Sequence, residues 1–170
     1  KELGASLIGS TLFHNPLMLK AMNIKVNEIQ LSYREVAPIS GNPIITSSEA
    51  AYKVLRELWN PNTIGLHESF KVLLLNNSNK IKGVLHLSEG GITGALVDIR
   101  ILFAVVLKSL SVGMILSHNH PSGQLKPSRA DQQLTRKIQK SAKLFDIRVL
   151  DHLILSPEEG YFSFADEGLL

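Results

Sequence analysis

Residues 116–131 read LSHNHPSGQLKPSRAD, and the fold and the chemistry are both decided there. The stretch begins at the end of an apolar run, Val112 to Leu116, which predicts a short buried strand. It crosses a loop rich in Pro, Ser and Gly, then enters a segment from Ser128 to about Phe145 that reads as a helix. In extended backbone, residues two apart share a face, so His118 and His120 converge where the chain leaves the strand. Ordinary loop histidines show the same spacing, and the pair alone is a weak signal. Asp131 strengthens it. Ser128-x-x-Asp131 reads first as a helix capping box. At about 100° per residue, Leu134, Ile138 and Phe145 share one face of that helix, with Arg129, Arg136, Lys140 and Lys143 opposite. Asp131 lies with the apolar set, roughly 20° from Ile138. A carboxylate facing the core is costly unless it is paired or bound to metal. With two histidines arriving from the adjacent strand, a metal ion is the simplest partner.

Two histidines and one aspartate leave a fourth position open on a tetrahedral zinc ion, which is the catalytic pattern rather than the structural one. Such a site needs a general base. The upstream candidate is Glu68, at the start of the very apolar FKVLLL of residues 70–75, although an acid there also fits an ordinary strand end. Ser128 can cap the helix while its hydroxyl faces the metal.

Working outward, Ile24 to Tyr33 reads as a strand with one slip of phase, followed by a loop at Pro38, Gly41, Asn42 and Pro43. Ser47 or Ser48 caps a helix with the stripe Val54, Leu55, Leu58 and Trp59, which Asn60-Pro61-Asn62 ends. Ser69–Leu75 and Ile81–Leu87 flank a turn of four polar residues and form a hairpin, with Gly90-Gly91 as a breaker. Asp98 to Leu110 is a helix apolar on most sides and therefore expected to be largely buried. Ile147 to Leu155 is a strand, and Tyr161 to Phe164 forms another. The order predicts an α/β fold, a mixed sheet flanked by helices. Residues 1–22 have weak periodicity and are expected to be a leader or extension, with Met22 a natural start and residues 23–170 the domain proper.

The chain has 170 residues, of which 44% are hydrophobic, enough for one domain with a real core. No apolar stretch reaches the roughly 18 residues of a transmembrane helix. The absence of cysteine excludes disulfides and thiolate ligands, so a metal must be held by nitrogen and oxygen, and it fits a cytoplasmic protein. A net charge of +3 is mildly basic. It permits contact with nucleic acid without demanding it.

Glu68 followed by H-x-H-x7-S-x-x-D resembles the JAMM motif of the JAB/MPN metalloprotease superfamily. The HNHPSG version, with LDHLIL at residues 150–155, is similar to its RadC branch, and the resemblance runs from about Ile24 to Leu170. It implies a mixed sheet between helices, related to the cytidine-deaminase-like fold. It also implies one zinc ion per chain on His118, His120 and Asp131. Glu68 corresponds to the acid that deprotonates the attacking water, and Ser128 to the serine that stabilises the oxyanion. The implied reaction is hydrolysis of a peptide or isopeptide bond in a protein or peptide substrate. The RadC likeness and the basic helix face carry an alternative, a DNA-repair-associated factor binding nucleic acid. The resemblance is to a short form without the N-terminal helix-hairpin-helix region, and it leaves room for a homo-oligomer. Where relatives have Pro-Arg-Glu, this chain has Ile99-Arg100-Ile101, so the local acid partner of Arg100 is missing.

Asp151 and His152 read as a hydrogen-bonded pair at a sheet end. The competing reading is support for the metal site from behind its ligands. His14, His67 and His86 have no spacing that links them to the site and read as surface or structural residues.

Overall fold

The computed structural model describes residues 41–90 and 96–170. The expected leader at 1–22 and the strand from Ile24 to Tyr33 lie outside the described residues. Among the described residues no helix is long and apolar enough to cross a membrane.

Among the described residues the architecture is a five-stranded mixed sheet with helices on both faces. Helix α1 spans Ser48–Leu58, and Ser47 caps it by accepting from Ala50 N. Strands β1 (Ser69–Leu75) and β2 (Ile81–Glu89) form the hairpin. Helix α2 (Ile99–Lys108) and strand β3 (Gly113–Asn119) follow, then helix α3 (Arg129–Lys143), strand β4 (Arg148–Leu155) and the short β5 (Tyr161–Ser163). The strand order is β2-β1-β3-β4-β5. β3 and β4 are parallel, joined by α3, whereas β1 runs antiparallel to β3 and β5 antiparallel to β4.

Each face of the sheet has its own core. Leu73, Leu75, Ile115 and Leu153 pack with Ala51, Leu55 and Trp59 of the α1 side. Phe70, Val72, Met114 and Leu116 pack on the other face with Leu102 and Val106 of α2 and Ile138 and Ala142 of α3. The strand period of two makes this division: neighbours along β1 and β3 serve opposite cores. β1 and β3 are buried along their whole lengths because both of their faces are covered.

Three expectations are corrected. Helix α2 buries only the face carrying Leu102, Phe103 and Val106, while Ile101 is 54% and Leu107 41% exposed. Its second apolar side meets no sheet among the described residues. Phe145 is not on the buried face of α3. The helix ends at Lys143, Asp146 takes a positive φ of 54°, and the reversal leaves Phe145 48% exposed beside Phe103. Thr135 and Ala142 complete the buried stripe instead. Arg100 has a local partner after all: Asp98, one residue before the helix, accepts its guanidinium at 2.6 Å and caps α2 as well.

Candidate metal centre

The side chains of interest meet where β3 ends and α3 begins, on the α2/α3 face of the sheet. This is the carboxyl end of the parallel pair β3 and β4, where α/β sheets leave room for ligands. His118 is the penultimate residue of β3 and lies opposite Phe70 of β1. The two rings lie nearly parallel, with centroids 6.0 Å apart. His120 follows just past the strand, its backbone N–H bonded to Leu155 O at 2.8 Å. Its Nδ1 donates to the Gln124 carbonyl at 2.6 Å, which fixes the ring and leaves Nε2 pointing inward.

Asp131 arrives from the first turn of α3 through a complete capping box. Ser128 Oγ accepts from Asp131 N at 3.1 Å, and Ser128 N donates to Asp131 Oδ2 at 2.6 Å. The box and the inward carboxylate are therefore one device: the cap fixes the side chain and leaves Oδ1 for His118. The Ser128 hydroxyl hydrogen is not used by the cap, so the group keeps a donor.

His118 Nε2 lies 3.0 Å from His120 Nε2 and 3.4 Å from Asp131 Oδ1, and His120 Nε2 lies 3.7 Å from Asp131 Oδ2. Zinc bonds of about 2.0–2.1 Å in a tetrahedral shell separate ligand atoms by about 3.3 Å. These three residues are the group that could hold a metal ion among the described residues. Two imidazole nitrogens this close repel unless a proton or a cation lies between their lone pairs. Burial pushes the His118 imidazole down to about 4, with the Asp131 charge opposing and His120 assisting. His120 is raised, chiefly by the Asp131 carboxylate that faces it, against its own burial. Burial works against ionisation of Asp131, but the facing His120 ring, the charge of His118 and the Ser128 cap outweigh it and hold its carboxyl well below the usual range. Three electron-pair donors facing one point fit a divalent cation.

Glu68 sits half-buried immediately before β1, and its backbone carbonyl accepts from Gly90 N at 2.8 Å. It lies close enough for its charge to raise His120. What holds its segment is Asn119, the residue between the two histidines. Successive residues of a strand point to opposite faces, so Asn119 turns away from the histidines. Its side chain is fully buried; Nδ2 donates to Ile64 O at 2.6 Å and His67 O at 2.9 Å, while Oδ1 accepts from Ser69 N at 2.7 Å. Histidines and Glu68 are thus fixed by one three-residue run. A polar residue amid an apolar strand was the available signal.

The pairing of Asp151 with His152 at a sheet end is corrected in detail. Their side chains lie on opposite faces. Asp151 accepts from the His152 backbone N–H at 2.7 Å, from Ser163 Oγ at 2.7 Å and from Ala165 N at 3.0 Å, tying down the segment after β5. The His152 ring instead reaches His118, Nε2 to Nδ1 at 2.8 Å. His67 gives only its carbonyl to Asn119, and the His86 ring binds the Lys71 ammonium at 2.8 Å on the sheet's other face.

The RadC-like JAB domain family matches residues 45–169, which include the whole site. The chain belongs to that family. Among relatives of this RadC-like JAB domain, a UPF0758 protein of Flavobacterium johnsoniae is 47% identical over 127 residues, covering 74% of this chain and 53% of its own. One from Porphyromonas gingivalis is 44% identical over 127 residues, covering 74% and 54%. A third, from Syntrophotalea carbinolica, is 33% identical over 151 residues, covering 86% and 65%. The RadC-like JAB domain described here thus spans about half the length of the first two relatives.

Proposed function

We propose that this RadC-like JAB domain is a zinc-dependent hydrolase of amide bonds, acting on a peptide or isopeptide bond. The observation that carries the proposal is the convergence of His118 Nε2, His120 Nε2 and Asp131 Oδ1 on one point, with the Glu68 carboxylate close enough to act on His120 and the Ser128 hydroxyl hydrogen spare. A zinc ion held by these residues would act as a Lewis acid toward a carbonyl and lower the pKa of water to about 7. Glu68 takes the proton of the attacking water and returns it to the leaving amine. The Ser128 hydroxyl donates to the oxygen on which negative charge develops, while its Oγ lone pair stays on Asp131 N. The capping box keeps this serine and the aspartate in fixed relation through the reaction. A cytoplasmic setting and a protein substrate complete the reading.

The test pairs metal content with turnover. Glu68→Gln should keep zinc and lose at least about 100-fold in hydrolysis of a peptide or isopeptide substrate, the size of a missing general base. Unchanged turnover removes Glu68 from the mechanism.

A second reading, a DNA-associated factor, rests on the outer face of α3. Arg129, Arg136, Lys137, Lys140 and Lys143 are exposed there, and none pairs with a carboxylate of the described residues. Such a row can follow a phosphate backbone.

A further inference from the structure

Behind His118 lies a buried chain of hydrogen bonds that no catalytic role uses. Thr135 Oγ is 2.6 Å from the Asp131 carbonyl oxygen and 2.6 Å from His152 Nδ1, and His152 Nε2 is 2.8 Å from His118 Nδ1. Thr135 is 1% exposed, His152 0% and His118 4%, so none of these bonds is exchanged for one to water.

The direction of every bond follows from the first. A carbonyl oxygen only accepts, so the single Thr135 hydroxyl hydrogen goes to Asp131 O. Thr135 Oγ must then accept from His152 Nδ1–H. A neutral imidazole carries one N–H, so His152 Nε2 is an acceptor. It can only receive the proton of His118 Nδ1. His118 Nε2 is left with its lone pair facing His120 and Asp131. The chain starts on the main chain of one member of the metal group and ends on the ring of another.

We propose that Thr135 and His152 are positioning residues that lock His118 in its Nδ1-protonated tautomer and so set the affinity of the three-residue group for a divalent metal. The inference rests on the metal reading above. Without the chain, His118 can place its proton on Nε2, and that proton must move to Nδ1 before Nε2 can bind a metal. The stacked His152 and Phe164 rings, with centroids 4.7 Å apart, hold the relay in place from the far side. Partners of this kind behind a metal ligand change affinity by about 10–100-fold.

The variants are His152→Phe, which keeps an aromatic ring against Phe164, Thr135→Val, which keeps shape without the hydroxyl, and Thr135→Ser, which restores the hydroxyl. Zinc affinity is measured by chelator competition on the full chain, and the His118 tautomer by ¹⁵N chemical shifts of the metal-free protein. Circular dichroism checks the fold. His152→Phe and Thr135→Val should each weaken zinc binding by about 10–100-fold. Thr135→Ser should bind within about threefold of the parent. The double variant should be no weaker than His152→Phe alone, because both cut one chain. Nδ1-protonated His118 in the parent, mixed with the other tautomer in Thr135→Val, is the matching spectrum. Folded variants that bind zinc as the parent does overturn this inference and leave the metal site standing; a parent that binds no zinc overturns both. If Thr135→Val fails to fold, an Nε2-protonated His118 in the parent overturns it equally.

Discussion

Replacing Asn119 with alanine removes three hydrogen bonds at once. The side chain is fully buried, and its partners are the carbonyls of Ile64 and His67 and the amide of Ser69. At about 1 kcal/mol net for each bond, the substitution costs about 3 kcal/mol. The Ser69 amide lies in a residue 6% exposed, so water replaces that bond poorly and the figure errs low. For a domain of this size it corresponds to a fall in melting temperature of roughly 10 °C. Asn119→Asp is the sharper variant. It is nearly isosteric, yet it turns an oxygen toward two carbonyls at 2.6 and 2.9 Å and buries a charge. The order of stability should therefore be parent, then Asn119→Ala, then Asn119→Asp, read by calorimetry at neutral pH. Because His67 adjoins Glu68, Asn119→Ala should also lower hydrolytic turnover. A melting temperature within about 2 °C of the parent, or an aspartate variant no worse than the alanine one, refutes this reasoning.

Other outcomes follow from the same geometry. Burial holds the Lys71 ammonium pKa below its usual value, against the charge of Glu89. A lysine lowered in the folded state penalises folding fully below its folded pKa, and the penalty fades as pH rises toward about 10.4. The stability of the parent relative to Lys71→Met should therefore improve between neutral pH and about pH 10, measured by denaturant melts at each pH; a constant difference contradicts the assignment. If the outer face of α3 binds DNA, Arg136→Ala with Lys140→Ala should weaken binding and reduce its salt dependence by about two phosphate contacts. Fluorescence anisotropy at low salt reads this, and a parent that does not bind retires the DNA reading.

Much of this site was legible because its spacing is local. His118 and His120 sit two apart on a strand, and Asp131 sits three after the helix cap, so period and cap chemistry together placed all three on one point. The apolar runs of β1, β3 and β4 were long enough to announce themselves. Support of the metal site by His152 was only the competing reading, and its partner, His118, was not legible. The two are 34 residues apart, and they meet only through the parallel pairing of β3 with β4, whose register spacing does not encode. Asn119 was hidden for a different reason. The apolar run that announces the strand ends at Leu116, whereas the strand continues through Asn119 and turns its amide to the opposite face. The exposed side of α2 shows the limit of hydropathy itself: Ile101 and Leu107 are as apolar as Leu102 and Val106, and only packing against the sheet distinguishes them.

The central claim is that His118, His120 and Asp131 together bind zinc. It is tested most directly by titrating the metal-free full chain with zinc in the presence of a competing chelator, beside His118→Ala and Asp131→Ala. The parent should bind about one zinc ion per chain, and each variant should bind at least about tenfold more weakly. Absence of zinc binding in the parent, or binding that survives both substitutions unchanged, contradicts it.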